Sequence, residues 1–142
     1  MRRYLAVNLD VALLVLRLAL AAVLLYHGIP KLLNFGETVT AFTAMNIPAP
    51  TLSVIVAILA EVVGGILILL GVAVDIAGIL VVIDMLGAIF AVHWAAGFDF
   101  TKGGWEHPFT VLAMALALAF AGPGRYSAAS GRRGTGRVAE AR

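Results

Sequence analysis

Arg17, Glu61 and Asp84 each lie inside a long apolar run of this 142-residue chain. A charge at bilayer depth costs about 2.5–3.5 kcal/mol on insertion scales, so such groups face a bundle interior, find partners and mark functional paths. Ionised together, the three would carry one excess negative charge. A buried carboxylate without a partner tends to hold a proton. Glu61 or Asp84 is therefore a candidate proton carrier, with Arg17 expected to pair with Glu61, or with Asp84 in the competing structural reading. These three are the candidate catalytic residues.

A second group gathers near one membrane face: His27, Lys31, His93, Glu106 and His107. The candidate ligand contacts are His27, Lys31, Tyr26, His93, Trp105 and Glu106. At about 100° per residue, Arg17, His27 and Lys31 fall within an arc of about 80°. Snorkelling of His27 and Lys31 to the interface is the competing reading. His93 follows Asp84 by nine residues, about 180° round a regular helix. The two cannot share a face unless the span is broken, so His93 and Trp94 are expected at the interface, where Trp is enriched.

A membrane-soluble quinone suits these residues. Its planar head exchanges two protons with two electrons, and it needs an acid or base, an apolar slot and a route to water. Glu61 or Asp84, the small-residue helix faces and His27 would supply them. A proton-coupled transporter uses the same ingredients. No metal is expected. There is no cysteine, and no HxxxH or HExxH spacing sets two histidines on one helix face. No phosphate-binding glycine loop or GxSxG serine elbow occurs.

The elements that must position these groups are apolar. The chain is 62% hydrophobic and 13% charged, with a mean hydropathy of +1.02. A soluble domain carries about twice that charge. Four runs stand out, about Val11–Ile29, Leu52–Leu70, Ile76–Ala96 and Phe109–Ala121, the last reaching spanning length if Trp105 and Pro108 open it. The fold class is an all-α membrane protein, a four-transmembrane-helix bundle. Asp10 and Arg17 interrupt the first run, which argues against a cleaved signal peptide and for a retained span.

Phe35, Val39, Phe42 and Met45 recur at helical spacing, which predicts a short amphipathic helix in the first outer loop, ended by Pro48 and Pro50. Ala57, Gly64, Gly65 and Ile68 share the face of Glu61. Ala77, Gly87, Ala88 and Ala91 share that of Asp84. Small residues let helices approach in lipid, so both acids point into protein. Ala113, Ala117 and Ala121 give the fourth run a similar stripe. The bundle is expected over 1–126, with 127–142 a disordered basic tail. Arg2, Arg3, Arg125, Arg132, Arg133, Arg137 and Arg142 lie at one side against Lys31 and Lys102 at the other. The positive-inside bias places both termini in the cytoplasm of a bacterial inner-membrane protein. Basic residues so distributed are an orientation signal and not a nucleic-acid footprint.

The ordered motifs resemble the DoxX family of small four-span bacterial membrane proteins. They are Leu16-Arg17-Leu18, Tyr26-His27-Gly28 with Lys31, Asn46-Ile47-Pro48-Ala49-Pro50, and Leu59-Ala60-Glu61 with Gly64-Gly65. Asp84-Met85-Leu86-Gly87-Ala88, Gly103-Gly104-Trp105-Glu106 and Gly122-Pro123-Gly124-Arg125 complete the set, over about residues 10–126. The resemblance implies a four-helix membrane bundle and a link to quinone-coupled oxidoreductases. The expected function is the membrane subunit of such an enzyme, with a quinone within the bundle. Arg17 and Glu61 would pair, Asp84 would relay a proton, and His27 with Lys31 would contact the head group. The competing readings are a non-catalytic scaffold for a redox partner and a small transporter or membrane-embedded acid–base enzyme. Expected partners are the lipid bilayer, a soluble redox partner or second membrane subunit, and a second copy packed through Gly and Ala faces.

Overall fold

The computed structural model describes residues 8–130, and among them every regular element is helical. Helix α1 spans Leu9–Leu33 and α2 spans Phe35–Ala44. Helix α3 runs over Pro50–Leu70 and α4 over Val74–Ala96, and α5 covers Glu106–Ala121. α1, α3 and α4 are long and apolar enough to cross a bilayer. At 16 residues, α5 is shorter. The bundle has a terminal end, with Asn8, the α3–α4 turn and residues 122–130. Its opposite, loop end holds α2 and the segment from Gly97 to Trp105.

Local chemistry sets the helix boundaries. The Asn8 carboxamide accepts from the Val11 amide and caps α1. Pro50 opens α3 in its first turn, where a missing N–H leaves no hydrogen bond unmade. Gly71 ends α3 at φ 72°, a left-handed conformation that suits glycine. The short turn then forces α4 back alongside α3.

The core is a thin seam of aliphatic residues. Leu13, Leu20 and Leu24 of α1 meet Ala60 and Ile68 of α3, with Val81 and Met85 of α4 and Val111, Ala115 and Leu118 of α5. Outward-facing Ile, Leu, Val and Phe side chains remain exposed along all the long helices. A helix apolar all round belongs in lipid. This is an all-α membrane protein whose outer surface is solvated by acyl chains.

α4 and α5 approach closely at Gly78, where an added Cβ would sit 2.8 Å from the Ala115 carbonyl oxygen and 3.0 Å from Ala119 Cβ. The packing stripe of α5 is thus Val111, Ala115, Leu118 and Ala119. The expected stripe of Ala113, Ala117 and Ala121 is exposed instead. Alternation of Ala with larger residues allowed either phase, and Gly78 selects the one observed. The amphipathic helix forms where its spacing predicts, but it buries no residue and instead lies along the loop end.

Arg17 is buried at the terminal end, away from Glu61. Its Nε donates to the Ile68 carbonyl at 2.8 Å, and Nη2 to that of Leu69 at 2.6 Å. Its Nη1 donates to the carbonyls of Pro123 at 3.0 Å and Tyr126 at 2.6 Å. The last four carbonyls of a helix lack internal partners. In α3 all four are satisfied: Leu67 by the Val72 amide, Ile68 by Gly71 and Arg17, Leu69 by Arg17, and Leu70 by the Ala128 amide. The expected Arg17–Glu61 pair is therefore replaced by a carbonyl staple. Seven residues separate Glu61 from Ile68, about 10 Å along the axis. A guanidinium offers five donors in a fork and matches clustered carbonyls well. Residues 127–130, expected within the tail, fold against this end through the Ala128 amide and the Ser127 hydroxyl bond to Gly124. The rest of the expected tail, 131–142, lies outside the described residues.

Candidate functional site

Between α1, α3, α4 and the start of α5 lies a cavity of about 730 Å³, open toward the loop end. Helix α2 and the segment after it form part of its rim through Phe42, Met45 and Ile47. Ligand sites of small molecules run to about 300–1,000 Å³ and are mostly apolar with a few placed polar groups. Here the polar groups are His27, Lys31, Ser53, Glu61, Asp84 and the pair His93 and His107.

Glu61 is buried and paired with Lys31, Nζ to Oε2 2.5 Å. Lys31 Nζ also donates to the His27 carbonyl at 3.2 Å. Lys31 thus takes the role expected of Arg17. Its long stem reaches inward from the last turn of α1 as readily as it would snorkel outward. Gly28 permits the approach. An added Cβ there would lie 2.7 Å from Glu61 Cβ and 2.8 Å from Val62 Cγ2, so α1 and α3 touch backbone to side chain one turn before Lys31.

Both acid-bearing spans depart from regular winding at the cavity. Leu59–Val63 is a π-helical turn with Glu61 at its middle. Ile89–His93 is a second one, ending on His93. Such turns insert one residue into the helical repeat and recur at functional sites. The second turn breaks the 180° relation expected between Asp84 and His93. The two line the same cavity, and His93 is an interior residue as well as an interfacial one. Its Nδ1 lies 2.7 Å from the Gly103 carbonyl oxygen, an N–H donor to that carbonyl, which leaves Nε2 as the free ring nitrogen.

Asp84 is half-buried and faces the cavity from α4. Among the described residues it forms no ion pair. Gly87, Ala88 and Ala91 continue its face along the wall. Nothing lies within 4 Å of where a Gly87 Cβ would be, so this strip leaves room for a flat ligand. His27 and His107 stand with ring centroids 5.2 Å apart at the mouth, and Phe100 lies 6.0 Å from His107. His107, one residue before the α5 proline, was not among the ligand contacts drawn from sequence. Its signal was membership of the same outer level as His27 and His93.

Three expected contacts stand outside the cavity. Tyr26 is 77% exposed and meets the His27 ring edge-on at 5.3 Å. Trp105 belongs to an aromatic cluster, stacked on Trp94 at 6.1 Å and edge-on to Phe98 at 4.6 Å. Amphipathic rings of this kind settle at the headgroup level. Glu106 accepts from the Phe100 amide at 3.2 Å and so braces the loop. In that loop, the hydroxyl and amide of Thr101 hold the Asp99 carboxyl below the usual range. No group of three His, Cys, Asp or Glu able to hold a metal occurs among the described residues.

The family model for DoxX matches residues 12–94. That stretch holds Arg17, His27, Lys31, Glu61, Asp84 and His93. The chain belongs to the DoxX family. This DoxX protein is 30% identical over 115 residues to "Putative oxidoreductase CatD" of Bacillus subtilis (strain 168), covering 81% of this chain and 82% of the relative. It is also 30% identical over 126 residues to "Inner membrane protein YphA" of Escherichia coli (strain K12), covering 82% and 87%. No solved structure matches this DoxX protein.

Proposed function

We propose that this DoxX protein is the membrane subunit of a quinone-linked oxidoreductase and holds a quinone head group in the cavity. In this reading α5 completes a fourth crossing, and both termini lie in the cytoplasm of the inner membrane. The observation that carries it is the gathering of the Lys31–Glu61 pair, Asp84 and three histidines around one apolar slot. The character of the cavity supports this reading: its walls are apolar, its small-residue strip is open at Gly87, and its polar residues include both donors and acceptors.

A bound quinone would supply two-electron, two-proton redox chemistry. His27 and Lys31 would donate hydrogen bonds to a head-group oxygen from the loop end. Glu61 holds the Lys31 ammonium in place. Asp84, without an ion-pair partner among the described residues, would take or give the proton, and the histidines at the mouth would connect it to water. The apolar walls exclude bulk water from the ring. The name of the Bacillus relative, "Putative oxidoreductase CatD", supports the class of chemistry. A redox partner would bring the electrons.

Mass spectrometry of the gently solubilised protein tests this. Quinone should co-purify in near-stoichiometric amount and be lost in Glu61→Ala and His27→Ala. A folded preparation that neither carries nor rebinds quinone would overturn it.

A further inference from the structure

Among the described residues the cavity holds one more carboxylate than it holds lysine or arginine side chains, so with Asp84 ionised it is one cation short. Lys31 is matched by Glu61. Asp84 lines the same space with no cation in ion-pair range among the described residues. Arg17, the one basic residue deep in a span, is committed to four backbone carbonyls near the other end of α3. Lys102 lies in the loop beside Asp99. His93 spends one ring nitrogen on Gly103, and His27 and His107 face each other at the mouth.

A carboxylate walled by hydrocarbon attracts a cation, but not every cation can reach it. A small inorganic ion would exchange its hydration for one carboxylate, and hard cations take six or more oxygens. A bulky organic cation carries its charge inside a hydrocarbon shell and sheds water cheaply. Its body would bury against Val56, Ile83 and Met85, and the rings of Phe42 and Phe100 on the same lining offer cation–π faces. The volume of about 730 Å³ suits a ligand of drug size.

We propose that the cavity binds lipophilic organic cations, quaternary or protonated amphiphilic amines and phosphonium ions, with Asp84 as their counter-ion. This goes beyond the quinone reading and stands on the cavity and the charge count alone.

Tetraphenylphosphonium and tetraphenylborate are matched in size and opposite in charge, and they make the test. Saturable binding of each to the full-length protein in detergent is measured by equilibrium dialysis. The phosphonium should bind at one site per chain, about tenfold or more tighter than the borate. Asp84→Asn, with an unchanged thermal melt, should erase that preference. Equal binding of the two ions, or a preference that survives in folded Asp84→Asn, overturns the proposal. Should Asp84→Asn not fold, Gly87→Leu and Ala91→Trp fill the cavity instead. Loss of phosphonium binding in them supports the assignment, and undiminished binding places the cation elsewhere and sinks it. A quinone analogue is titrated on the same samples. Cation binding without quinone binding contradicts the quinone reading alone, and the reverse contradicts this one alone.

Discussion

Lys31 and Glu61 share one contact but differ in how they can escape its loss. The lysine side chain keeps 22% of its surface exposed and can swing to the headgroups, whereas Glu61 keeps 7% and sits within the packed π turn. Removing the lysine strands a buried carboxylate, and removing the carboxylate frees a cation that can reach water. Lys31→Met should therefore destabilise the protein by about 2–4 kcal/mol. Glu61→Gln should cost about 1 kcal/mol. The double variant should recover much of the loss, as thermal melts in one detergent would show. Equal costs for the two single changes would contradict this pairing. Arg17 makes a separate prediction. Arg17→Lys leaves carbonyls at the end of α3 without donors and should cost about 2–3 kcal/mol. Ligand affinity should be unchanged, because Arg17 does not line the cavity. A variant of normal stability that had lost quinone would restore Arg17 to the catalytic group in which the sequence reading placed it.

The helices set these residues in place through close approaches and irregular turns. An alanine at position 28 would press into Glu61 and Val62. Gly28→Ala should lower the melting temperature by several degrees, as expected for a cost of about 1–3 kcal/mol. Gly87→Ala, whose Cβ meets open space, should leave it unchanged. The four apolar runs, the surface helix over Phe35–Ala44 and the inward turn of Glu61 were legible, because hydrophobic period and small-residue faces encode them directly. Other features were not. A π turn is one extra residue in a helix that stays apolar throughout, so nothing in the spacing of Ile89–His93 reveals that His93 rotates onto the cavity. The partner of Glu61 depended on which cation the α1–α3 packing brings near. Sequence depth favoured Arg17. Gly28 and the reach of the lysine stem decided for Lys31. Arg17 instead answered to backbone carbonyls, which carry no sequence signature.

At the scale of the whole molecule, the two ends of the bundle differ. The terminal end is closed by Arg17, Gly71 and the folded residues 123–130, which satisfy the last carbonyls of α3. The loop end is open and holds the histidines, the Lys31–Glu61 pair and the aromatic cluster of Trp94, Phe98 and Trp105. A lipophilic ligand would thus enter from the outer half of the bilayer, given the proposed orientation. Single cysteines placed at Thr101 and at Ser130 should be labelled by an impermeant maleimide from opposite sides of sealed membrane vesicles. Labelling of both from one side would contradict the four crossings. In the quinone reading the ring sits in the cavity, against the strip of Gly87, Ala88 and Ala91 and beside Asp84. Photo-crosslinking with an azidoquinone, followed by peptide mapping, tests it most directly. Label is expected on cavity-lining residues of α3 and α4, displaced by excess unlabelled quinone. Label confined to lipid-facing residues such as Phe120 or Ile76, and not displaced, would contradict it.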